Sequence, residues 1–331
     1  MYKAVVVKEF KNDEAIFVEE FSLEELRKGL DEKNFIVKVH AAPLNPLDQN
    51  KLLGTIFTLK CPFTPGSEAS GIIVESHNKD LIGKKVAVSV QTGTWKEYIL
   101  ATEENSIFLN DDVDLDSASC GFVNPLTAVG LIYQAQKYNA KAVVNLAAQS
   151  ALGKMINYLA KDSGLNCLNV IRGDENRIQS IIKEYQNENV ISTDQDPQSF
   201  QKQFKELAEK LSATVAFDPV GGSLTGQIFN NLPQNSILIV YGSLSQKDIE
   251  GINGVQVRWA NKRLEGFTFY GWIQSIPEQD RKKSKELVQQ KMNTLFKTQI
   301  HTSYGLNQHK EAISLFRKVQ GGQKIIFKMI H

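Results

Sequence analysis

Cysteine is scarce in this 331-residue chain: Cys61, Cys120 and Cys167 stand far apart, with no CxxC pair. Neither a disulfide framework nor a structural zinc site can be assembled from so few scattered thiols, and buried, reduced cysteines are expected. No window of about 18 apolar residues exists, so no helix is expected to cross a bilayer. Charge of one sign is also missing, with 38 Lys and Arg against 37 Asp and Glu and a net charge of +1. That removes the electrostatic footprint of a dedicated nucleic-acid or membrane-surface binder and leaves small molecules or proteins as expected partners. The opening MYKAVVVKEF lacks both the apolar stretch of a secretory signal and the Arg- and Ser-rich character of a transit peptide. A cytoplasmic place is expected, with mitochondrial import by another route as the alternative. Internal repeats and low-complexity segments are absent as well.

What is present is a globular composition, 42% hydrophobic and 23% charged, in a chain long enough for two domains of about 100–200 residues each. Up to about residue 120 the chain reads as short β-branched strands, Ala4–Val7, Phe35–Val39, Gly71–Val74 and Lys85–Val88, punctuated by Pro43, Pro46, Pro62, Pro65, Gly66 and Gly83. This predicts an all-β unit, barrel-like or sandwich-like.

From about residue 125 the texture alternates. Strands are predicted at Ala142–Leu146, Leu168–Ile171, Asn189–Ile191, Thr214–Phe217 and Ile237–Val240. Helices are predicted at Leu126–Lys137, Leu152–Asp162, Glu175–Gln186, Gln198–Leu211 and Leu224–Asn231. Apolar strands alternating with helices signify a doubly wound parallel sheet, so the fold class is α/β. The tail predicts a strand-like Gly266–Tyr270, helices at Glu278–Thr298 and Gln308–Gln320, and a final strand Lys324–Phe327 that returns to the first domain.

In such a sheet the first strand-turn-helix holds a pyrophosphate at the helix N-terminus. Here that segment contains Ala148-Gln149-Ser150-Ala151-Leu152-Gly153. In the GxGxxG frame only Gly153 remains a glycine, while Ala148 and Ser150 are small residues with a Cβ. A generic small-residue turn is the alternative. The second strand ends at Arg172, where a nucleotide-binding sheet presents an acid to a ribose 2′-hydroxyl or a base to a 2′-phosphate; Arg172 favours NADPH over NADH. Arg172 could instead pair with Asp174 and Glu175 on the surface. Two more strand ends, around Val220 and at Tyr241-Gly242-Ser243, place small residues where backbone can approach a cofactor, although glycine turns are common in loops.

Five motifs add to this: Asn45-Pro46-Leu47-Asp48, Pro65-Gly66-Ser67-Glu68-Ala69-Ser70-Gly71, Gly93-Thr94-Trp95-Lys96-Glu97-Tyr98, Asn124-Pro125-Leu126-Thr127-Ala128 and Asp218-Pro219-Val220-Gly221-Gly222. In their order and spacing, over essentially the whole length, the chain resembles the medium-chain dehydrogenase/reductase superfamily. It is most like the zinc-independent quinone oxidoreductase and 2-enoyl thioester reductase branches. The resemblance implies a groES-like domain at residues 1–121 and 266–331, a Rossmann domain at 122–265, and a cleft in which a nicotinamide meets its acceptor. It places nicotinamide-side contacts on Asn45, Asp48, Thr127 and Tyr241, with Asn45 and Thr127 nearest the chemistry. Taken alone, Asn45 and Asp48 also read as turn residues, and Thr127 as an ordinary helix residue.

Zinc-dependent relatives hold a catalytic zinc with a Cys, a His beside a Glu, and a second Cys. The matching positions here are Asn45, Ser67 and Val123, and only Glu68 of that set is kept. No zinc is expected, so charge on the acceptor needs hydrogen bonds or a general acid. Enoyl thioester reductases place a tyrosine where this chain has Ile56 or Phe57, which weakens the enoyl reading; a quinone takes its protons from solvent. Phe267, Phe269, Tyr270 and Trp272, with Phe57 and Phe63, are candidates either for an apolar acceptor pocket or for core.

The expected activity is NADPH-dependent, zinc-free reduction of a quinone, enone or related activated carbonyl. The alternative is a reductase-like subunit with a structural or regulatory role in a larger assembly. The resemblance also implies a homodimer through the Rossmann sheets, with Ile237–Val240 and the segment after it as the candidate edge.

Overall fold

Local sequence signals account for most elements of the structure, a computed structural model describing all residues except 56–58, 91–92, 319–323 and 330–331. The chain divides into two compact units, Met1–Leu126 with Gln279–His331, and Thr127–Glu278. The junctions fall after Leu126 and Glu278, where the sequence reading has 121 and 265.

The strands before the insert are β1 (Tyr2–Val7), β2 (Ile16–Phe21), β3 (Asn34–Pro43), β4 (Glu68–Ser76), β5 (Lys85–Ser89), β6 (Tyr98–Thr102) and β7 (Ser106–Phe108). The insert carries β8 (Ala142–Leu146), β9 (Asn166–Ile171), β10 (Val190–Ser192), β11 (Ala213–Asp218), β12 (Ile237–Val240) and β13 (Arg263–Gly266). β14 (Ile300–Tyr304) and β15 (Lys324–Lys328) follow.

In the first unit the long strand β3 organises the sheet. One of its neighbours is β4; it also pairs with β6 through Asn34–Lys38 and with β15 through Ala41–Pro43. Its apolar residues pack with Ile73, Val88, Ile99, Trp95 and Phe327 in one core. Trp95 meets Phe327 edge-on at 4.9 Å, and its Nε1 donates to the Pro43 carbonyl at 3.1 Å, so the indole is buried with its polar atom satisfied.

This unit is not all-β, contrary to the sequence reading. Helix Pro46–Leu52 forms in the proline-punctuated stretch read as turns. Proline at the first helical position fits because its missing N–H is an orphan there anyway.

In the second unit the six strands are all parallel in the order β10-β9-β8-β11-β12-β13. β8 is buried along its whole length, as a strand with helices on both faces must be. Helix Pro197–Leu211 shows the matching pattern: Asp196 caps its start, and Phe200, Phe204 and Ala208 line one buried face at four-residue spacing.

Three expectations are corrected. The aromatic run at 266–270 is not a strand: β13 ends at Gly266, and Thr268 caps helix Phe269–Ser275 by accepting from the Gly271 N–H at 3.1 Å. Of the candidate edge, Ile237–Val240 is an inner strand, and the edge is β13 in the segment after it. The helix that starts at Glu278 stops at Gln290. The last helix, predicted to reach Gln320, is described over His309–Lys318; Gln320 lies outside the described residues, as do Ile56 and Phe57.

Candidate functional site

The strand order of the parallel sheet reverses between β8 and β11, which is where doubly wound sheets bind ligands at the strands' carboxyl ends. At this edge the structure brings together Ala148–Gly153 after β8, Arg172 after β9, Val220 after β11 and Tyr241–Ser243 after β12.

The turn after β8 shows how a chain short of glycine keeps its geometry. Ala148 is fully buried, its side chain packed in a cluster with Ile171, Ile181, Tyr185 and Val190, and Tyr185 Oη donates to its carbonyl at 2.7 Å. The methyl group therefore fills core. Ser150 caps helix Ala151–Asp162, its Oγ accepting from the Gly153 N–H at 3.0 Å. Gly153 has no substitute, because a Cβ there would lie 2.6 Å from the carbonyl oxygens of both Ala147 and Ala148. Ala151 and Leu152, half-buried, start the helix whose N-terminus carries the positive end of its dipole.

The neighbouring turn is tied to this one. Gln149 Nε2 donates to the Arg172 carbonyl at 2.6 Å, and Gln149 Oε1 accepts from Arg177 Nε at 2.9 Å. Arg172 is exposed. Of the two residues offered as its surface partners, Asp174 caps helix Glu175–Tyr185 by accepting from the Arg177 N–H at 3.0 Å, and Glu175 accepts from Gln179 Nε2 at 2.8 Å. The sequence reading missed Arg177; its only local sign is a place in the first turn after an N-cap aspartate.

After β11, buried Asp218 accepts from the N–H groups of Val220 at 2.6 Å and Gly221 at 3.2 Å, and from Thr225 Oγ1 at 2.5 Å. The loops after β11 and β12 are joined by Tyr241 N–H to the Asp218 carbonyl, Leu244 N–H to Pro219 and Ser245 N–H to Val220. The Tyr241 hydroxyl is buried with no hydrogen-bond partner among the described residues, and burial, then the charge of Asp218, push it well above the usual phenol range. Thr127 is buried on helix Val123–Lys137.

In the first unit, Asn45 and Asp48 are not turn residues. Asn45 is the N-cap of helix Pro46–Leu52, and its N–H donates to Asp48 Oδ2 at 3.0 Å. Asp48 Oδ1 accepts from Ser67 Oγ at 2.7 Å, and Ser67 accepts in turn from Lys51 Nζ at 2.6 Å. Asn45 Nδ2 donates to Glu68 Oε1 at 2.9 Å, Lys324 Nζ donates to Asn45 Oδ1 at 2.5 Å, and Glu68 Oε2 accepts from the N–H groups of Phe122 and Val123 at 3.1 and 2.8 Å.

Two lysines and two carboxylates thus lie buried in one connected network, as buried charge requires. Burial pushes the Glu68 carboxyl up, with Lys324 and the donated hydrogen bonds pulling against it; burial pushes Lys51 down, against the pull of Asp48. Neither lysine was read from the sequence. A charged residue opening the otherwise apolar Lys324-Ile325-Ile326-Phe327 was the available sign.

The network includes Asn45 and Ser67, two of the positions that the sequence resemblance matches to zinc ligands. Among the described residues, no group of three or more His, Cys, Asp or Glu side chains could hold a metal. The cysteines are free; Cys120 and Cys167 are buried, with burial pushing their thiols up to about 11 and about 12, whereas Cys61 is only half-buried. The aromatic candidates are mostly core: Phe267, Phe269 and Trp272 are buried in the second unit, and Phe63 packs against Phe10 in the first.

Residues 31–130 match the family described as the alcohol dehydrogenase GroES-like domain. The chain is 24% identical over 265 residues to the mitochondrial enoyl-[acyl-carrier-protein] reductase of Xenopus tropicalis, covering 76% of this chain and 73% of that protein. It is 26% identical over 281 residues to an NADPH quinone oxidoreductase of Kluyveromyces marxianus, covering 77% and 73%. In fold it matches the Escherichia coli quinone oxidoreductase solved with NADPH, at TM-score 0.81 and 19% identity over 98% of this chain and 99% of that one. The chain thus joins a β-rich unit similar to the alcohol dehydrogenase GroES-like domain to a six-stranded parallel sheet, and it is similar in sequence to enoyl reductases and an NADPH quinone oxidoreductase.

Proposed function

We propose that this chain is an NADPH-dependent oxidoreductase that passes a hydride to a quinone, enone or related activated carbonyl. The observation that carries the reading is the edge of the parallel sheet, where a capped helix N-terminus adjoins two arginines, Arg172 and Arg177, linked through Gln149. A pyrophosphate fits the helix N-terminus and the close backbone at Gly153. A 2′-phosphate fits a guanidinium, which has five donors and no acceptor. The bound nicotinamide supplies the hydride; the chain's residues orient the partners and stabilise developing charge. Asn45 and Thr127 serve at the reacting end, and Asp48 holds Asn45 in place.

The relatives' names support both a quinone and an enoyl acceptor. A quinone is preferred, because the chain has Ile56 and Phe57 where the enoyl reductases' tyrosine is expected. The alternative of a silent, structural subunit loses one motive, since the altered glycine motif retains its cap and its close-packing glycine.

The β-rich unit is assigned the acceptor and the parallel-sheet unit the nucleotide. A homodimer is expected across the edge strand β13, beside which Val255, Val257 and Trp259 are 50%, 45% and 79% exposed. Among the described residues, no helix is long and apolar enough to cross a membrane. The cytoplasm is the proposed compartment, and the mitochondrial relatives keep the organelle as the alternative.

The test is NADPH binding, followed by NADPH absorbance with a panel of ortho- and para-quinones, enones and 2-enoyl thioesters. Turnover of quinones supports the reading. Tight binding without oxidation by any acceptor sinks it and favours the silent subunit.

A further inference from the structure

Asn45 is held between opposite charges. Lys324 Nζ donates to its Oδ1 at 2.5 Å, its Nδ2 donates to Glu68 Oε1 at 2.9 Å, and the three residues are 7%, 3% and 0% exposed for Lys324, Asn45 and Glu68. An ammonium has three donors and no acceptor, so the atom against Lys324 can only be the carboxamide oxygen. The other oxygen of Glu68 is already taken by the N–H groups of Phe122 and Val123. Rotating the amide by half a turn would set its NH2 against the ammonium and its oxygen against the carboxylate, exchanging two charge-assisted bonds for two repulsive contacts.

The side chain therefore has one orientation, and the backbone is fixed as well by the Asn45 N–H bond to Asp48. Among the described residues, the second N–H of Nδ2 meets no acceptor. Lys324, drawing on Oδ1, polarises the amide and makes that N–H a stronger donor.

We propose that Lys324 is a positioning residue: it fixes and polarises the Asn45 carboxamide so that the remaining N–H donates to the acceptor oxygen on which negative charge develops. This rests on the reductase reading above. At an enone, the hydride joins the β-carbon, the π pair moves onto the carbonyl oxygen, and a solvent proton later neutralises it. A donor already aimed at that oxygen needs no reorganisation during the step. Lys324 thereby supplies, through an amide, a fixed positive charge at the place where zinc-dependent relatives use a metal.

The experiment compares wild type with Lys324→Met, Lys324→Arg, Asn45→Ala and the Lys324→Met/Asn45→Ala double variant. Two readouts are used: kcat and KM for NADPH-linked reduction, and side-chain amide spectra of protein labelled with 15N-asparagine. Lys324→Met is expected to lower kcat about 10- to 100-fold with the KM for NADPH within about threefold. The double variant should be no slower than Asn45→Ala alone, because Lys324 acts through Asn45. Lys324→Arg should recover most of the rate. The Asn45 amide signals, identified by their loss in Asn45→Ala, should shift and exchange faster in Lys324→Met.

Additive losses in the double variant, or an unchanged kcat, would overturn the proposal. So would unmoved Asn45 signals. If Lys324→Met fails to fold by circular dichroism, Lys324→Arg against Lys324→Gln makes the same comparison. Wild type that reduces no acceptor removes the reductase reading and the donor role with it, and the spectra then decide the contact between Lys324 and Asn45 alone.

Discussion

Arg177 Nε donates to Gln149 Oε1 at 2.9 Å, so the helix after β9 is clamped to the turn after β8 through an amide that also donates to the Arg172 carbonyl. Gln149 thus joins the side chain of Arg177 to the backbone of Arg172. Arg172→Ala and Arg177→Ala are each expected to weaken NADPH binding about 10- to 100-fold, the worth of a charge-assisted hydrogen bond, and to leave NADH within about threefold. Titration of nucleotide fluorescence with the two variants checks this. Equal losses for both nucleotides would remove the arginines from the 2′-phosphate.

The cap on the first helix of the parallel sheet is separable from its glycine. Ser150→Ala removes the acceptor for the Gly153 N–H and should cost about 1 kcal/mol in urea unfolding. Gly153→Ala forces a methyl to 2.6 Å from two carbonyl oxygens and should cost about 1–3 kcal/mol through overpacking. It should also abolish nucleotide binding, because the turn must move to make room. If Gly153→Ala binds NADPH normally, the turn does not cradle the nucleotide.

Lys262 provides a test by pH. It is buried, and its Nζ donates to the carbonyls of Phe229 and Asn230 at 3.2 and 2.8 Å, at the end of helix Gly222–Asn231. Burial pushes its amine down to about 8, well below the ordinary lysine value of 10.5. Between those two values the unfolded chain binds more protons than the folded one, so this group makes stability rise with pH across that window. Lys262→Met should remove that rise. Urea unfolding of both proteins at a series of pH values from 7 to 10.5 gives the comparison; parallel curves would contradict the assignment.

The open edge of the parallel sheet predicts an assembly. Trp259, 79% exposed, and Leu264, 43% exposed on β13 itself, give an edge that a second copy would cover. Trp259→Lys with Leu264→Lys should yield a monomer in analytical ultracentrifugation, while wild type sediments as a dimer. A wild-type monomer at micromolar concentration would refute it.

The alternation of strand and helix between residues 142 and 240 was legible because each strand is a short apolar run and the helices Ala151–Asp162, Glu175–Tyr185 and Pro197–Leu211 each have a capping side chain and a buried stripe. Asp174 and Asp196 mark helix starts that any reader of caps could place. The aromatic run after Gly266 misled because aromatics favour strands, while the deciding signal was the capping Thr268. The Asn45 network was illegible for a different reason. Glu68 and Lys324 reach Asn45 from 23 and 279 residues away, and no window of sequence contains the three. Ser67 and Glu68 could be matched to ligand positions of relatives, but nothing local said that a lysine would arrive.

That lysine comes on β15, which docks on Ala41–Pro43 only after the whole parallel-sheet unit has been made. The insert is contiguous and has every strand it needs before β15 exists. The β-rich unit does not, and the carboxamide of Asn45 lacks its cation until the last strand is in place. During synthesis the parallel-sheet unit can therefore mature first, with the β-rich unit left unfinished. A chain cut short before Lys324 would have the whole parallel-sheet unit and no fixed charge on Asn45, so that synthesis of β15, rather than folding of the insert, sets the moment at which the Asn45 network is complete.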